Sequence, residues 1–376
     1  MKKVYNWQLN REMDYPYRAP APEKQVAWVF DTNKCIACQT CTLACKTTWT
    51  SGKGQEHMWW NNVSTRPWGF YPLGWDVRLM EKLGAARWED GTYRGSTVFE
   101  AAPPGEPALG ILPDGEDWAN PNIGEDEIGG DDVADGDFIS GIHKAWMFYL
   151  QRICNHCSYP ACLSACPRRA IYKRREDGIV LIDQERCRGY RECVKCCPYK
   201  KSMFHPPSDK SQKCIACYPA VGQGRQTQCV VNCIGKIRIF GFINPPEQSR
   251  PDNPIDYLVH ETGLAKPLYP QFGTQPNVYY IPPIHVPQKF LGQMFGPGVP
   301  QAVETYRNAR ENRKLVGLLV LLGCTDRIIH RFRVEGNQAI GYDETGQEVV
   351  RAPLREPTYE RPFYDEERDV YRHSIT

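Results

Sequence analysis

The stretch "CRGYRECVKCCPYK", residues 187–200, decides how this chain is read. Cys187, Cys193 and Cys197 take the first, third and fourth positions of the spacing C-x2-C-x2-C-x3-C, and Pro198 follows the last of them. That spacing wraps an Fe4S4 cube, with the fourth cysteine reaching over to a neighbouring cluster. The second position falls on residue 190, which is Tyr. One site therefore lacks a thiolate, and the rest of the sequence has to be read for what surrounds that gap.

Three further runs carry related spacing. "CIACQTCTLAC" supplies Cys35, Cys38, Cys41 and Cys45; "CNHCSYPACLSACP" supplies Cys154, Cys157, Cys162 and Cys166; "CIACYPAVGQGRQTQCVVNC" supplies Cys214, Cys217, Cys229 and Cys233. Of the 17 cysteines only Cys324 stands outside the four runs. Cysteines two apart on a tight loop suit a shared metal better than disulfides. Zinc is served by two separated C-x2-C pairs and needs no third cysteine in the same loop, so the tight triple favours iron–sulfur chemistry. The flanks repeat as well. "WVFDTNKC" and "IVLIDQERC" each give a β-rich run, an Asp and a basic residue before the first cysteine. "RRAIYKR", "YKKSMF" and "GKIRIF" follow the last cysteines as strand-like runs. The pattern predicts an α+β fold: four half-motifs forming two bacterial-ferredoxin-like modules.

The remaining sequence sets bounds. At 376 residues and 41% hydrophobic the chain is long enough for more than one packed unit. A net charge of +2 gives no electrostatic reason to expect nucleic acid. The longest apolar stretch, "LVGLLVLLG" at 315–323, is too short to span a bilayer, and the N-terminus has no apolar core of a secretory signal. Six of the ten tryptophans lie between residues 28 and 75, a density that means core packing or a partner interface. "GEDEIGGDDVADGD", 124–137, lacks the calcium-loop pattern and reads as a surface loop. The Pro-rich segment 246–300 predicts an extended arm over another surface. A helix is expected over about 300–322, then a hairpin from "RIIHRFRV" and "GQEVVRAP", and a docking strap in the tail. His57, His143, His156 and His205 lie near the motifs and read as hydrogen-bonding neighbours, since the cysteine sets already suffice.

The motifs together resemble a known family. "CIACQTCTLACK" followed by "EHMWWNNV", "CNHCSYPACLSACPRRAIYKRREDGIVLID", "CRGYRECVKCCPYKK" and "KCIACYPAVGQGRQTQCVVNCIGKIR" are similar to the four-cluster beta subunits of the dimethyl sulfoxide reductase family of molybdenum enzymes. Within that family they look like the nitrate reductase and nitrite oxidoreductase type, and "YNWQLNREMDYPY" is most similar to the nitrite oxidoreductase subunits. The resemblance implies that runs one and four share one module (24–53 with 208–245) and runs two and three the other (140–207). Residues 54–139 would be a partner-facing insertion, and 246–376 a C-terminal extension and docking arm.

It also implies ligand sets. Cluster one would take Cys35, Cys38, Cys41 and Cys233; cluster two Cys214, Cys217, Cys229 and Cys45; cluster three Cys154, Cys157, Cys162 and Cys197. Cluster four would keep only Cys166, Cys187 and Cys193, with Tyr190 a non-ligand at the vacant corner. The implied cofactors are three [4Fe-4S] clusters and one [3Fe-4S] cluster. Tyr190 also reads as an aromatic shield. Cys196, off the motif register, and Cys324 read as buried small hydrophobes. Fifteen ligand thiolates and four cluster cores would carry the formal charge from +2 to about −6.

The function this implies is electron transfer without catalytic residues of its own. The expected partners are a molybdenum-cofactor alpha subunit and a haem-bearing gamma subunit or cytochrome, with the membrane met only indirectly. Related perchlorate, selenate or hydrocarbon enzymes are the alternative setting, and a free-standing polyferredoxin the rival. Relatives carried across the membrane with a signal-bearing partner imply the periplasmic side; the alternative is the cytoplasmic face.

Overall fold

The structure is a computed structural model that describes residues 2–17, 21–66, 74–111, 146–355, 363–365 and 370–372. Strand Gln25–Asp31 is the spine of a four-stranded sheet. It pairs antiparallel with Arg238–Ile243, the strand after the fourth cysteine run, and parallel with Val278–Ile281. Lys266–Pro267 closes the far edge. Successive side chains of a strand point to opposite faces, and "QVAWVFD" is apolar on both. Val26, Trp28 and Phe30 enter the core that meets the cysteine runs, while Ala27 and Val29 enter a second core. Trp28 stacks on His156 with 5.5 Å between ring centroids, and its indole N–H donates to Thr227 Oγ1 at 3.2 Å.

The second core corrects the expectation for the C-terminal third. Residues 246–300 do not lie as an arm over another surface. Val278–Ile281 is buried along its length and forms an inner strand of the sheet. The flanking prolines bound this strand rather than mark an exposed linker. Helices Val299–Arg307 and Arg313–Leu321 cover the same face through Tyr306, Leu315, Leu318 and Leu319. The single helix expected over 300–322 is broken at Asn308–Asn312, and the Asn312 side chain caps the second half by accepting from the Leu315 amide at 3.1 Å. The expected hairpin is a three-stranded sheet: Arg331–Glu335 and Glu348–Pro353 both pair with Gln338–Tyr342 and not with each other.

Around the cysteines the elements are short. Helix Thr40–Trp49 of run one packs on Gln228–Val231 of run four, and Ala161–Ser164 of run two packs on Glu192–Cys196 of run three. Strand pairs Asn62–Arg66 with Phe148–Arg152, Ile171–Lys173 with Val180–Ile182, and Ser202–His205 with Lys210–Lys213 frame them. Beneath the first pair Arg66 donates to Asp76 at 2.8 Å, and Tyr269 donates to the same carboxylate at 2.5 Å. Burial works against the charge on Asp76, but Arg66 and Tyr269 outweigh it, so the carboxyl sits below its usual range. Trp28, Trp60 and Trp75 are core residues, whereas Trp59 is exposed. Segment 124–137, His143 and most of the C-terminal tail lie outside the described residues.

Candidate iron–sulfur sites

The repeat is written into the backbone as well as the spacing. Ala37, His156, Gly189 and Ala216 hold the same place, two residues after the first cysteine of each run, and all four have positive φ, from 42° to 66°. Arg169, Lys200 and Lys236, three residues after the last cysteines of runs two, three and four, share it at 48° to 49°. Left-handed residues next to right-handed ones turn successive amides into one concavity, a nest for anions. The amides of Ala170 and Lys201 accordingly point at the sulfurs of Cys166 and Cys197, at 3.3 and 3.5 Å. Ala216 donates to Cys214 Sγ at 3.4 Å, Gln228 to Cys217 Sγ at 3.5 Å, and Ser211 to Cys187 Sγ at 3.3 Å. At Gly189 a side chain is barred twice, by the positive φ and by the Asp209 backbone, whose oxygen would lie 2.7 Å from a Cβ.

Four cavities each gather cysteines from two runs. The first is lined by Cys35, Cys38, Cys41 and Cys233. The second, about 380 Å³, is lined by Cys45, Cys214, Cys217 and Cys229 together with Trp49 and Trp60. The third is lined by Cys154, Cys157, Cys162 and Cys197. The fourth holds Cys166, Cys187 and Cys193, with Tyr190 on its wall. Tyr190 is 61% exposed, so it stands at the mouth of this cavity. Cys196 is buried but lines none of the four; its thiol donates to the Ala161 carbonyl at 3.2 Å. Cys324 corrects an expectation. It is exposed, because the helix ends at Leu321 and Gly323 turns the chain outward, and its thiol donates to the Val320 carbonyl.

Several side chains that spacing does not reveal surround the sulfurs. Arg238 is buried and donates to Cys41 Sγ at 2.9 Å while lying over the Phe30 ring. Burial works against its charge, yet the thiols of Cys41, Cys229, Cys233 and Cys35 raise its pKa above the ordinary arginine value. The Trp49 indole donates to Cys217 Sγ at 3.2 Å. His156 is fully buried, accepts from the Val180 amide through Nδ1, and is held neutral by burial. His57 and His205 reach the carbonyls of Phe204 and Lys53. Burial pushes the thiols of Cys45, Cys157 and Cys214 up, and neighbouring sulfur charges add to that.

Among the described residues no three His, Cys, Asp or Glu side chains converge tightly enough for one metal ion. The sulfurs stand instead around cavities, with amides, an indole and a buried guanidinium aimed at them. Crowded thiolates of one sign are stable only around a compact positive core, which is what an iron–sulfur cluster provides. The residues fit that group.

Comparison with known proteins agrees. The 4Fe-4S dicluster domain family matches residues 145–243. The selenate reductase beta subunit of Thauera selenatis is 40% identical over 324 residues, 78% of this chain and 93% of the relative. The beta subunit of the Haloferax mediterranei respiratory nitrate reductase is 40% identical over 358 residues, 84% and 95% respectively. The chain belongs to the iron–sulfur beta subunits of the molybdoenzymes. The chlorate reductase beta subunit of Ideonella dechloratans, 40% identical over 78% of this beta subunit and 93% of its own length, is a further member. No described helix of the beta subunit is long and apolar enough to cross a membrane.

Proposed function

We propose that this beta subunit holds three [4Fe-4S] clusters and one [3Fe-4S] cluster and relays electrons in a nitrate reductase or nitrite oxidoreductase type of complex. A molybdenum-cofactor alpha subunit stands at one end of the relay and a haem-bearing gamma subunit or cytochrome at the other. The observation that carries this reading is the set of four cysteine-lined cavities, three with four sulfurs and one with three sulfurs and Tyr190. Cys35, Cys38, Cys41 and Cys233 hold cluster one; Cys214, Cys217, Cys229 and Cys45 hold cluster two; Cys154, Cys157, Cys162 and Cys197 hold cluster three. Cys166, Cys187 and Cys193 hold cluster four. Runs one and four then form one module and runs two and three the other, with residues 54–139 facing a partner.

When bound, the clusters supply one-electron carriers whose potentials follow from type, charge, hydrogen bonding and exposure. The chain's own residues set those conditions. Amide nests and the Trp49 indole hold negative charge on sulfur, Arg238 places a cation against Cys41, and buried apolar walls exclude water. Tyr190 covers the three-cysteine cavity from the solvent side.

A second reading keeps the relay and changes the partner's substrate. The 40% identity to the selenate and chlorate relatives, equal to that of the nitrate relative, supports a related perchlorate, selenate or hydrocarbon enzyme as its setting no less than a nitrate one. Purification of the native complex tests both. The expected result is a molybdenum subunit in fixed ratio, about fifteen iron atoms held by each beta chain (counted apart from haem iron and the iron of the other subunits) and an S = 1/2 signal of an oxidised [3Fe-4S] centre near g ≈ 2. Sixteen iron atoms without that signal would remove the three-thiolate site, and assays of the complex with nitrate, nitrite, selenate and chlorate choose the substrate. We place the complex on the periplasmic side of the cytoplasmic membrane, by export with its partner, in preference to the cytoplasmic face. Recovery in the cytosol with a partner lacking a twin-arginine leader would reverse this.

A further inference from the structure

Two lysines stand between the second and third cavities. Lys213 lines both of them. Lys201 lines the third; burial and then the neighbouring Arg152 lower its pKa well below the ordinary lysine value, and Cys214 and Cys45 of the second cavity and Cys154 of the third act in the opposite sense. Both are buried, 4% exposed for Lys201 and 6% for Lys213. Their hydrogen-bond acceptors are neutral. Lys201 Nζ donates to the Trp59 carbonyl at 3.3 Å and to Asn62 Oδ1. Lys213 Nζ donates to the Cys214 carbonyl at 2.8 Å and to the Val180 carbonyl. Among the described residues neither lysine forms an ion pair with a carboxylate.

A buried ammonium without a counter-charge is strongly disfavoured, and an apolar side chain of similar length would fill the same space without that penalty. Fold stability therefore gives no reason for two lysines here. The opposite charge nearest to them is on the sulfurs of two different cavities. If those cavities hold clusters, as proposed above, an electron arriving in either one adds negative charge facing the same two cations. Reduction of each is favoured, and the repulsion between two reduced neighbours is offset.

We propose that Lys201 and Lys213 form a buried cationic bridge that raises the reduction potentials of clusters two and three together. Neither residue is a ligand; both act through charge. The bridge keeps the middle of the relay reducible even when the adjacent centre already carries an electron.

The test is a mediated redox titration of the intact complex followed by low-temperature electron paramagnetic resonance. The variants are Lys201→Met and Lys213→Met, with Lys201→Arg and Lys213→Arg as charge-keeping controls. In the Met variants the reduction equilibria of two of the three cubane centres should each fall at least tenfold, about 59 mV for a one-electron couple. The third cubane and the [3Fe-4S] centre should stay in place. The Arg variants should remain close to the parent. Should a Met variant lose iron from two sites while its Arg counterpart keeps it, the requirement for charge stands. Unmoved potentials with full iron, an equal shift of all four centres, or iron loss in both Met and Arg variants would overturn the bridge. A parent complex without the expected iron would instead overturn the cluster assignment on which the bridge rests.

Discussion

Replacing Arg238 by Met removes a buried cation hydrogen-bonded to a cysteine sulfur, and the size of its effect follows from its position. The guanidinium donates to Cys41 Sγ at 2.9 Å from a site only 1% exposed. The centre of a cube bound by that sulfur would lie roughly 5 Å away, and at an effective dielectric constant of about 20 one added electron there interacts with the cation by about 3 kcal/mol. Since 1.36 kcal/mol corresponds to a tenfold change, or about 59 mV for one electron, Arg238→Met should lower the potential of one cubane by ~100–150 mV. Cys229 belongs to the second cavity and also feels Arg238, so a second centre should fall by a smaller amount. Arg238→Lys should recover most of the loss. Redox titration with resonance detection reads all of this in one experiment. A fall under about 30 mV with iron content intact would refute the charge argument, since it would require an effective dielectric constant near that of water.

Tyr190→Cys restores the missing position, and because Gly189 already has the left-handed backbone of Ala37, His156 and Ala216, the new thiol should take up about one extra iron per chain and abolish the [3Fe-4S] signal. Tyr190→Phe should leave both unchanged; loss of the centre in that variant would make the phenol oxygen a contact. Cys196→Ala removes a thiol that lines no cavity, so iron content should hold while unfolding shows a loss of about 1–2 kcal/mol; missing iron would make Cys196 a ligand. Asp76→Asn leaves Arg66 buried against an uncharged amide and should cost about 3–5 kcal/mol by thermal or denaturant unfolding. Because the folded carboxyl is held below its ordinary value, its contribution is fully present above about pH 4 and disappears as the pH falls through the folded value; a parent and an Asn variant with the same acid profile would contradict this.

Much of this was legible because cysteine spacing is a covalent constraint. A cluster loop needs its sulfurs at fixed short separations, so Cys187, Cys193 and the misfit at Tyr190 stand out without any structure. The strand-like flanks were legible for the same local reason. What was hidden is tertiary. "GKIRIF" reads as a strand, but nothing in it says that Arg238 turns inward to a sulfur 197 residues away in sequence. Lys213 looks like any basic residue before a motif until the second and third cavities appear on either side of it. Proline density suggested an exposed arm, whereas "VYYI" at 278–281 carried the opposite, β-rich signal and became an inner strand. Cys324 reads as buried from the apolar segment before it, but that segment ends two residues early, at Leu322, and hydrophobicity of a segment does not fix the direction of its last turn.

The way the cavities draw on the chain also sets an order in time. The cysteines of the third and fourth lie within residues 154–197 and their walls reach only to Lys213 and Ser211, so both can close soon after that stretch has been made. The first and second cannot close until Cys229 and Cys233 arrive to meet Cys35, Cys38, Cys41 and Cys45. Even then the spine strand lacks its parallel neighbour until Val278–Ile281 emerges. Contacts of such long sequence separation form slowly and expose the unfinished chain. A nascent molecule therefore carries its earliest cysteines unsheltered for most of its synthesis, and the supply of iron and sulfide has to be timed to the end of translation rather than to the first motif.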